Sequence, residues 1–159
     1  MIKSITKFFD ERGWFAELYK KNEDSTEYLQ DNISFSKKGV IRGLHFQITP
    51  NAQEKYITVL SGEIIDVILN IDPNSDEYGQ YKSFHMKSGD QLVIPDNYAH
   101  GFHALEDTYF LYKCSNVYDK NSECSYNIRS IPMEVWGVSD VNSINISEKD
   151  KNAKLFPYK

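Results

Sequence analysis

The sequence predicts an all-β protein, an antiparallel sandwich or barrel with short peripheral helical turns, and three observations carry that prediction. Short segments rich in Val, Ile, Tyr and Phe follow one another closely: EKYITVL, GEIIDVILNI, DQLVIP, YAHGFHAL and TYFLYKCSNVY. Turn chemistry separates many of them, at Ser61-Gly62, at Ser88-Gly89-Asp90 and at Glu106-Asp107. Patterns of helical period are nearly absent.

Two short stretches carry helix signals. One runs from Asp24 to Leu29; the other opens at Ser147, whose hydroxyl can cap a turn with Asp150 three residues on. No Pro/Gly/Ser-rich linker divides the 159 residues, so a single domain over 1–159 is expected, large enough to bury a core without disulfides. The charged tail after Lys149 still carries Leu155, Phe156 and Tyr158, which predicts that it docks.

Charge narrows the partners. A net charge of −5 and a pI near 5.4, without a concentrated basic patch, argue against a nucleic-acid surface. Lys20-Lys21 and Lys37-Lys38 read as solvated pairs. An anionic small molecule stays open, because a few cations gathered in one cleft outweigh an acidic average. Cys114 and Cys124 lack CxxC spacing and are expected to be plain thiols in a reducing, cytoplasmic setting. No apolar run is long enough for a signal peptide or a membrane span, so no membrane partner is expected.

The stretch GVIRGLHFQ, residues 39–47, places Arg42 and His45 three apart in a strand, where alternation sends them to opposite faces. Leu44 and Phe46 would point one way, His45 and Gln47 the other. Gly43 resolves the conflict. A glycine inside a strand often marks a bulge, and one extra residue turns Arg42 to the side of His45, so both are predicted to line one pocket.

Lys55, Asp66, His100 and Tyr112 are polar residues within apolar strand patterns. Taken singly, each has an ordinary structural explanation; together they predict a polar-lined barrel interior. The carboxylate of Asp66 in IIDVIL needs a donor or cation, and a histidine is one candidate. Tyr98, His100 and Phe102 share a face while His103 points away, so the two histidines form no metal pair. Phe110, Tyr112 and Cys114 also share a face. A metal site is not expected: Gln47 stands two residues after His45, and Lys55 lies about where an acidic ligand would be needed. A histidine, a lysine and a tyrosine suit proton removal next to a ketone: a base for carbon, a cation for the enolate oxygen, an acid on the opposite face.

From about Phe9 to Phe156 the chain resembles the dTDP-4-dehydrorhamnose 3,5-epimerase family, nucleotide-sugar enzymes of the cupin type. DERGWFAELY is similar to its D-x-R-G-x-F-x-E motif, QDNISFS to its Q-x-N-x-S segment, and IRGLHFQ with PNAQEK to its central signature; IPDNYAHGF, FLYKCSNVY and SEKD follow in order. The resemblance implies a cupin jelly roll whose segment 140–159 closes over the barrel mouth, and a cofactor-free, metal-free epimerase. It would invert C3, C5 or both of a nucleotide-linked 4-keto-6-deoxy sugar in deoxysugar biosynthesis. The alternatives are a 3,4-ketoisomerase on the same substrate class and a non-catalytic sugar-nucleotide binder.

By the same resemblance His45 is the general base, Asp150 its partner, Lys55 the enolate stabiliser and Tyr112 the acid. Gln30, Asn32 and Arg42 would hold the diphosphate and sugar, with His100, Tyr118 and Lys149 as further substrate contacts and Asp66 in support. Arg12, Phe15 and Glu17 would contact nucleotide in the partner's pocket of a homodimer. Asn97 stands where a glycine is common before Ala-His-Gly-Phe, which points to left-handed backbone there. NIRSIPMEVW replaces the usual Trp-Asn-Asp stretch.

Overall fold

In the computed structural model, residues 1–22 and 26–158 are described, and among them twelve strands form. In chain order they are β1 (Lys3–Ser4), β2 (Phe8–Asp10), β3 (Gly13–Phe15), β4 (Gln30–Ser36), β5 (Ile41–Gln47), β6 (Lys55–Ser61), β7 (Glu63–Asn70), β8 (Tyr81–Lys87), β9 (Asp90–Ile94), β10 (Tyr98–Ala104), β11 (Thr108–Cys114) and β12 (Glu123–Ser125). Ten of them make two five-stranded antiparallel sheets, ordered β1-β9-β6-β11-β4 and β12-β5-β10-β7-β8, while β2 and β3 form a separate hairpin. This is a jelly-roll arrangement of the cupin kind.

Alternation explains the two apolar layers. Even-numbered residues of β7 and β10, including Ile64, Ile68, Tyr98 and Phe102, turn inward against Ile57, Val59, Leu92 and Phe110 of the first sheet. Their odd-numbered neighbours Val67, Leu69 and Ala99 turn outward and pack with Ile41, Leu44, Phe46, Ile128, Ile131, Trp136 and Phe156. The second sheet is therefore covered on both faces, which is why GEIIDVILNI is apolar almost throughout instead of alternating.

The outer cover comes from the carboxy-terminal segment. It contains 3-10 turns at Ile128–Ser130, Met133–Trp136 and Val141–Ser143, and one turn of helix, α1 (Glu148–Lys151). Ser147 caps α1 by accepting from the Asp150 backbone N–H, as its hydroxyl predicts. The tail docks through Phe156, which is buried, and through the Tyr158 hydroxyl, which donates to the Ser130 carbonyl at 2.6 Å; Leu155 stays exposed.

Two local expectations need correction. Part of the helix expected over Asp24–Leu29 lies outside the described residues, and residues 26–29 have no regular structure; Leu29 N–H instead donates to the Cys114 carbonyl and leads into β4. At Asn97 the backbone is not left-handed, since among the described residues only glycines take positive φ. Its carbonyl accepts from Ile71 N–H, and the turn closes through Tyr98 N–H to the Pro95 carbonyl, which any residue can make.

Candidate active site

The bulge anticipated at Gly43 is present. His100 of β10 faces His45 of β5, but Phe102 faces Arg42, so three steps on β5 oppose two on β10. Gly43 takes φ +132°, and a Cβ on it would meet the Gly101 Cα at 2.5 Å. Ile41, Leu44 and Phe46 thus face the outer core, while Arg42 and His45 both line one cavity of about 440 Å³ between the sheets.

Behind the bulge, α1 brings Asp150 to His45. Its Oδ1 lies 2.7 Å from Nε2 of His45, and its Oδ2 accepts weakly from Gly43 N–H at 3.4 Å. Burial alone would raise the Asp150 carboxyl, but the His45 bond and charge, Gly43 N–H and Ser147 outweigh it, so it titrates below the usual carboxylate range. A carboxylate accepts only. Nε2 therefore carries hydrogen, and Nδ1 is the nitrogen left to take a proton.

The opposite sheet supplies the other groups. Tyr112 on β11 faces the cavity, and burial, with Cys114 adding to it and Arg42 opposing, holds its phenol above the usual value, so it is protonated near neutrality. Lys55 on β6 is buried in the cavity wall, and no hydrogen bond or ion pair of its ammonium occurs among the described residues. Burial lowers its pKa, while Cys114 and Asp66 act to raise it. Asp66 is fully buried and its Oδ2 lies 2.7 Å from Nε2 of His100, so the partner that IIDVIL needed is a histidine, one of the candidates. Asp66 Oδ1 has no hydrogen-bond partner among the described residues.

Along the rim, Gln30 Nε2 donates to Asn32 Oδ1 at 2.8 Å and its Oε1 accepts from Tyr118 N–H at 2.7 Å. Arg42 is braced by Ser36 Oγ at 2.9 Å and the Phe35 carbonyl at 3.2 Å. Tyr118 donates through its hydroxyl to Glu123 at 3.1 Å, and Lys149 pairs with the same carboxylate at 2.6 Å. Glu123 is a cavity residue that the sequence reading missed; it sits in the polar run DKNSECS, where no apolar neighbours mark a strand.

Three groups of residues fall elsewhere. Arg12, Phe15 and Glu17 are exposed and line no part of this cavity; Arg12 pairs with Asp10 at 2.6 Å across the hairpin turn. Lys149 lines a second, smaller cavity behind His45 with Asn145, Ser147 and Asp150. The segment expected over the mouth packs on the outer face of the second sheet, and none of its described residues lines the larger cavity. His103 points away from His100 and reaches the Trp136 carbonyl, at 2.8 Å.

Comparison with known proteins points to one family. The family model for dTDP-4-dehydrorhamnose 3,5-epimerase matches residues 1–157. The dTDP-4-dehydrorhamnose 3,5-epimerase of Salmonella typhimurium is 40% identical over 161 residues, covering 93% of this chain and 85% of that protein. A crystal structure of the Bacillus anthracis dTDP-4-dehydrorhamnose 3,5-epimerase with TDP and PPi bound superposes with a TM-score of 0.87 at 32% identity, over 98% of this chain and 93% of that one. The Legionella pneumophila dTDP-6-deoxy-D-glucose-3,5-epimerase, in complex with dTDP-4-keto-L-rhamnose, gives 0.85 at 33% identity, over 97% and 86%. By sequence and by fold, this chain belongs to the dTDP-4-dehydrorhamnose 3,5-epimerase family.

Proposed function

We propose that the protein is an isomerase that inverts C3, C5 or both of a dTDP-linked 4-keto-6-deoxy sugar. The observation that carries this reading is a paired imidazole and a neutral phenol on opposite sheets of one cavity, with an ammonium that has no partner among the described residues on the sheet that carries the phenol. His45 Nδ1 takes the proton from the carbon next to the ketone. The C–H bonding pair becomes a new carbon–carbon double bond and the carbonyl π pair moves onto oxygen, where Lys55 and His100 offer positive charge or hydrogen. Tyr112 then gives its proton to the opposite face of that carbon, and the phenolate recovers a proton from solvent while His45 releases one. Asp150 keeps Nε2 protonated and stabilises the imidazolium.

Arg42, Gln30, Asn32 and Tyr118 are assigned to the diphosphate and sugar, since a fixed guanidinium presents forked donors to phosphate oxygens. Lys149 and Glu123 stand beside Tyr118 at the rim. The β2–β3 hairpin exposes Phe8, Phe9, Trp14 and Phe15, and the outer face of the first sheet exposes Ile33, Phe35, Val93 and Tyr109. Apolar area on this scale suits a homodimer in which the hairpin of one subunit brings Arg12, Phe15 and Glu17 to the other's cavity. Incubation with dTDP-4-keto-6-deoxyglucose in heavy water, followed by NMR, should place deuterium at C3, C5 or both with inversion. Absence of label from both carbons would reject the reading.

A further inference from the structure

Gln47 ends β5 two residues beyond His45, is buried, and lines the cavity, yet both hydrogens of its amide are spent inside the protein. Its Nε2 donates to the Asn51 carbonyl at 2.7 Å and to the Val117 carbonyl at 3.2 Å, and its Oε1 accepts from Asp119 N–H at 2.8 Å. The last two partners flank Tyr118. With no amide hydrogen left to offer a ligand, Gln47 affects binding through the loop it holds.

That loop needs support. Among the described residues, 116–118 make no backbone–backbone hydrogen bond, although the segment joins β11, which carries Tyr112, to β12, which carries Glu123. Side-chain amides stand in for a ladder: Gln53 donates to the Asn116 carbonyl at 2.7 Å, Gln30 accepts from Tyr118 N–H at 2.7 Å, and Gln47 holds the peptide groups on both sides of Tyr118. An irregular segment samples several conformations unless its peptide groups are tied down. Gln47 differs from the other two in being rooted on the strand of His45, so it ties the tyrosine at the rim to the frame that holds the imidazole.

We propose that Gln47 is a positioning residue that sets Tyr118 against the bound nucleotide sugar through the peptide groups on either side of it. The assignment rests on the nucleotide-sugar reading of the cavity, in which Tyr118 contacts substrate. It acts on binding and leaves the His45–Asp150 pair alone.

The test is calorimetric titration of wild type, Gln47→Met, Tyr118→Ala and the double variant with dTDP-glucose, which lacks the ketone and cannot be enolised. Methionine keeps the length of the side chain and removes the amide, and each single variant should bind about tenfold more weakly. In the double variant the Gln47 change should add less than about twofold, because the tyrosine through which it acts is gone. The KM of Gln47→Met for dTDP-4-keto-6-deoxyglucose should rise alongside, with kcat within about threefold. Gln47→Glu gives a second measure. Its carboxylate would face the Asn51 and Val117 carbonyls, and protonation would restore a donor, so its affinity relative to wild type should be poor at about pH 8 and recover towards about pH 5.5. That ratio decides alone if Gln47→Met does not fold. Single variants that bind like wild type, a fully additive loss in the double variant, a kcat that falls with the affinity, or a Gln47→Glu defect equal at both pH values would each overturn the assignment. If wild type neither binds dTDP-glucose nor turns over a nucleotide-linked 4-keto sugar, the underlying reading fails, and the role of Gln47 with it.

Discussion

Asp150 Oδ1 meets His45 Nε2 at 2.7 Å although 105 residues separate the two in the chain. The contact depends on the Gly43 bulge, which exposes the back of the strand, and on Ser147, which caps α1 so that Asp150 points inward. Each local feature is minor by itself. Together they give a strand histidine a buried carboxylate on one nitrogen and an open cavity on its other side.

Asp150→Asn should keep the shape and lose the chemistry. An amide can accept from or donate to Nε2, so the base is no longer held in the tautomer that leaves Nδ1 free. Turnover is expected to drop about 10²- to 10⁴-fold, and His45→Ala to be nearly inactive. The stability effect has a defined sign. Because the Asp150 carboxyl is depressed below its ordinary 3.8, its contribution is present above that pH and is lost as pH falls through the lower folded value. Acid denaturation should therefore steepen below about pH 4 in wild type and do so less in Asp150→Asn. Equal acid profiles would show that the carboxylate is not stabilised by His45.

Tyr112→Phe separates the two halves of the reaction. With the acid removed and the base intact, His45 can still take a proton, exchange it with heavy water and return deuterium to the same face. The variant should label substrate with retention while inversion falls about 10²- to 10⁴-fold. Proton NMR distinguishes exchange from inversion in one experiment. Inversion at the wild-type rate would remove Tyr112 from the acid role.

How far the sequence revealed this site depends on the range of the interaction. The Arg42–Gly43–His45 bulge was legible because strand alternation is local, and the pattern breaks by one residue within seven. Asp66 with His100 was half legible: a carboxylate in a buried strand announces a need for a partner, and strand parity pointed His100 inward. Asp150 was not legible from spacing. Its position three residues after Ser147 is explained by helix capping alone, and only resemblance to a family linked it to His45. The covering segment around Trp136 was also hidden, because 3-10 turns carry little periodicity and their burial depends on the sheet beneath. Glu123 left no signal at all.

The hairpin assignment predicts complementation between subunits. Arg12→Ala should raise KM with little change in kcat, because the guanidinium would act in binding alone. His45→Ala should be inactive. Mixed at subsaturating substrate after reversible dissociation, the two should regain activity, since a hybrid dimer pairs an intact pocket with an intact hairpin. If Arg12 served its own chain's cavity, no hybrid would carry a complete site and the mixture would stay at the Arg12→Ala rate. Light scattering of the same samples checks the dimer.

The alkaline limb of the pH profile should belong to Lys55. Burial lowers its pKa from the ordinary 10.5, with Cys114 and Asp66 opposing that fall, whereas burial raises the Tyr112 phenol from 10.0. As pH rises, the ammonium loses its proton at a lower pH than an ordinary lysine would, and the acid is still protonated above the usual tyrosine value. Loss of positive charge beside the enolate oxygen then removes transition-state stabilisation; Lys55→Met should cost about 10²- to 10³-fold at neutral pH. Lys55→Arg cannot deprotonate in this range. Its peak rate should be lower, because a guanidinium fits a buried ammonium site poorly, but its alkaline limb should move upward towards the titration of Tyr112. A limb at the same pH in wild type and Lys55→Arg would assign that titration to another group and leave Lys55 without a charge-dependent role.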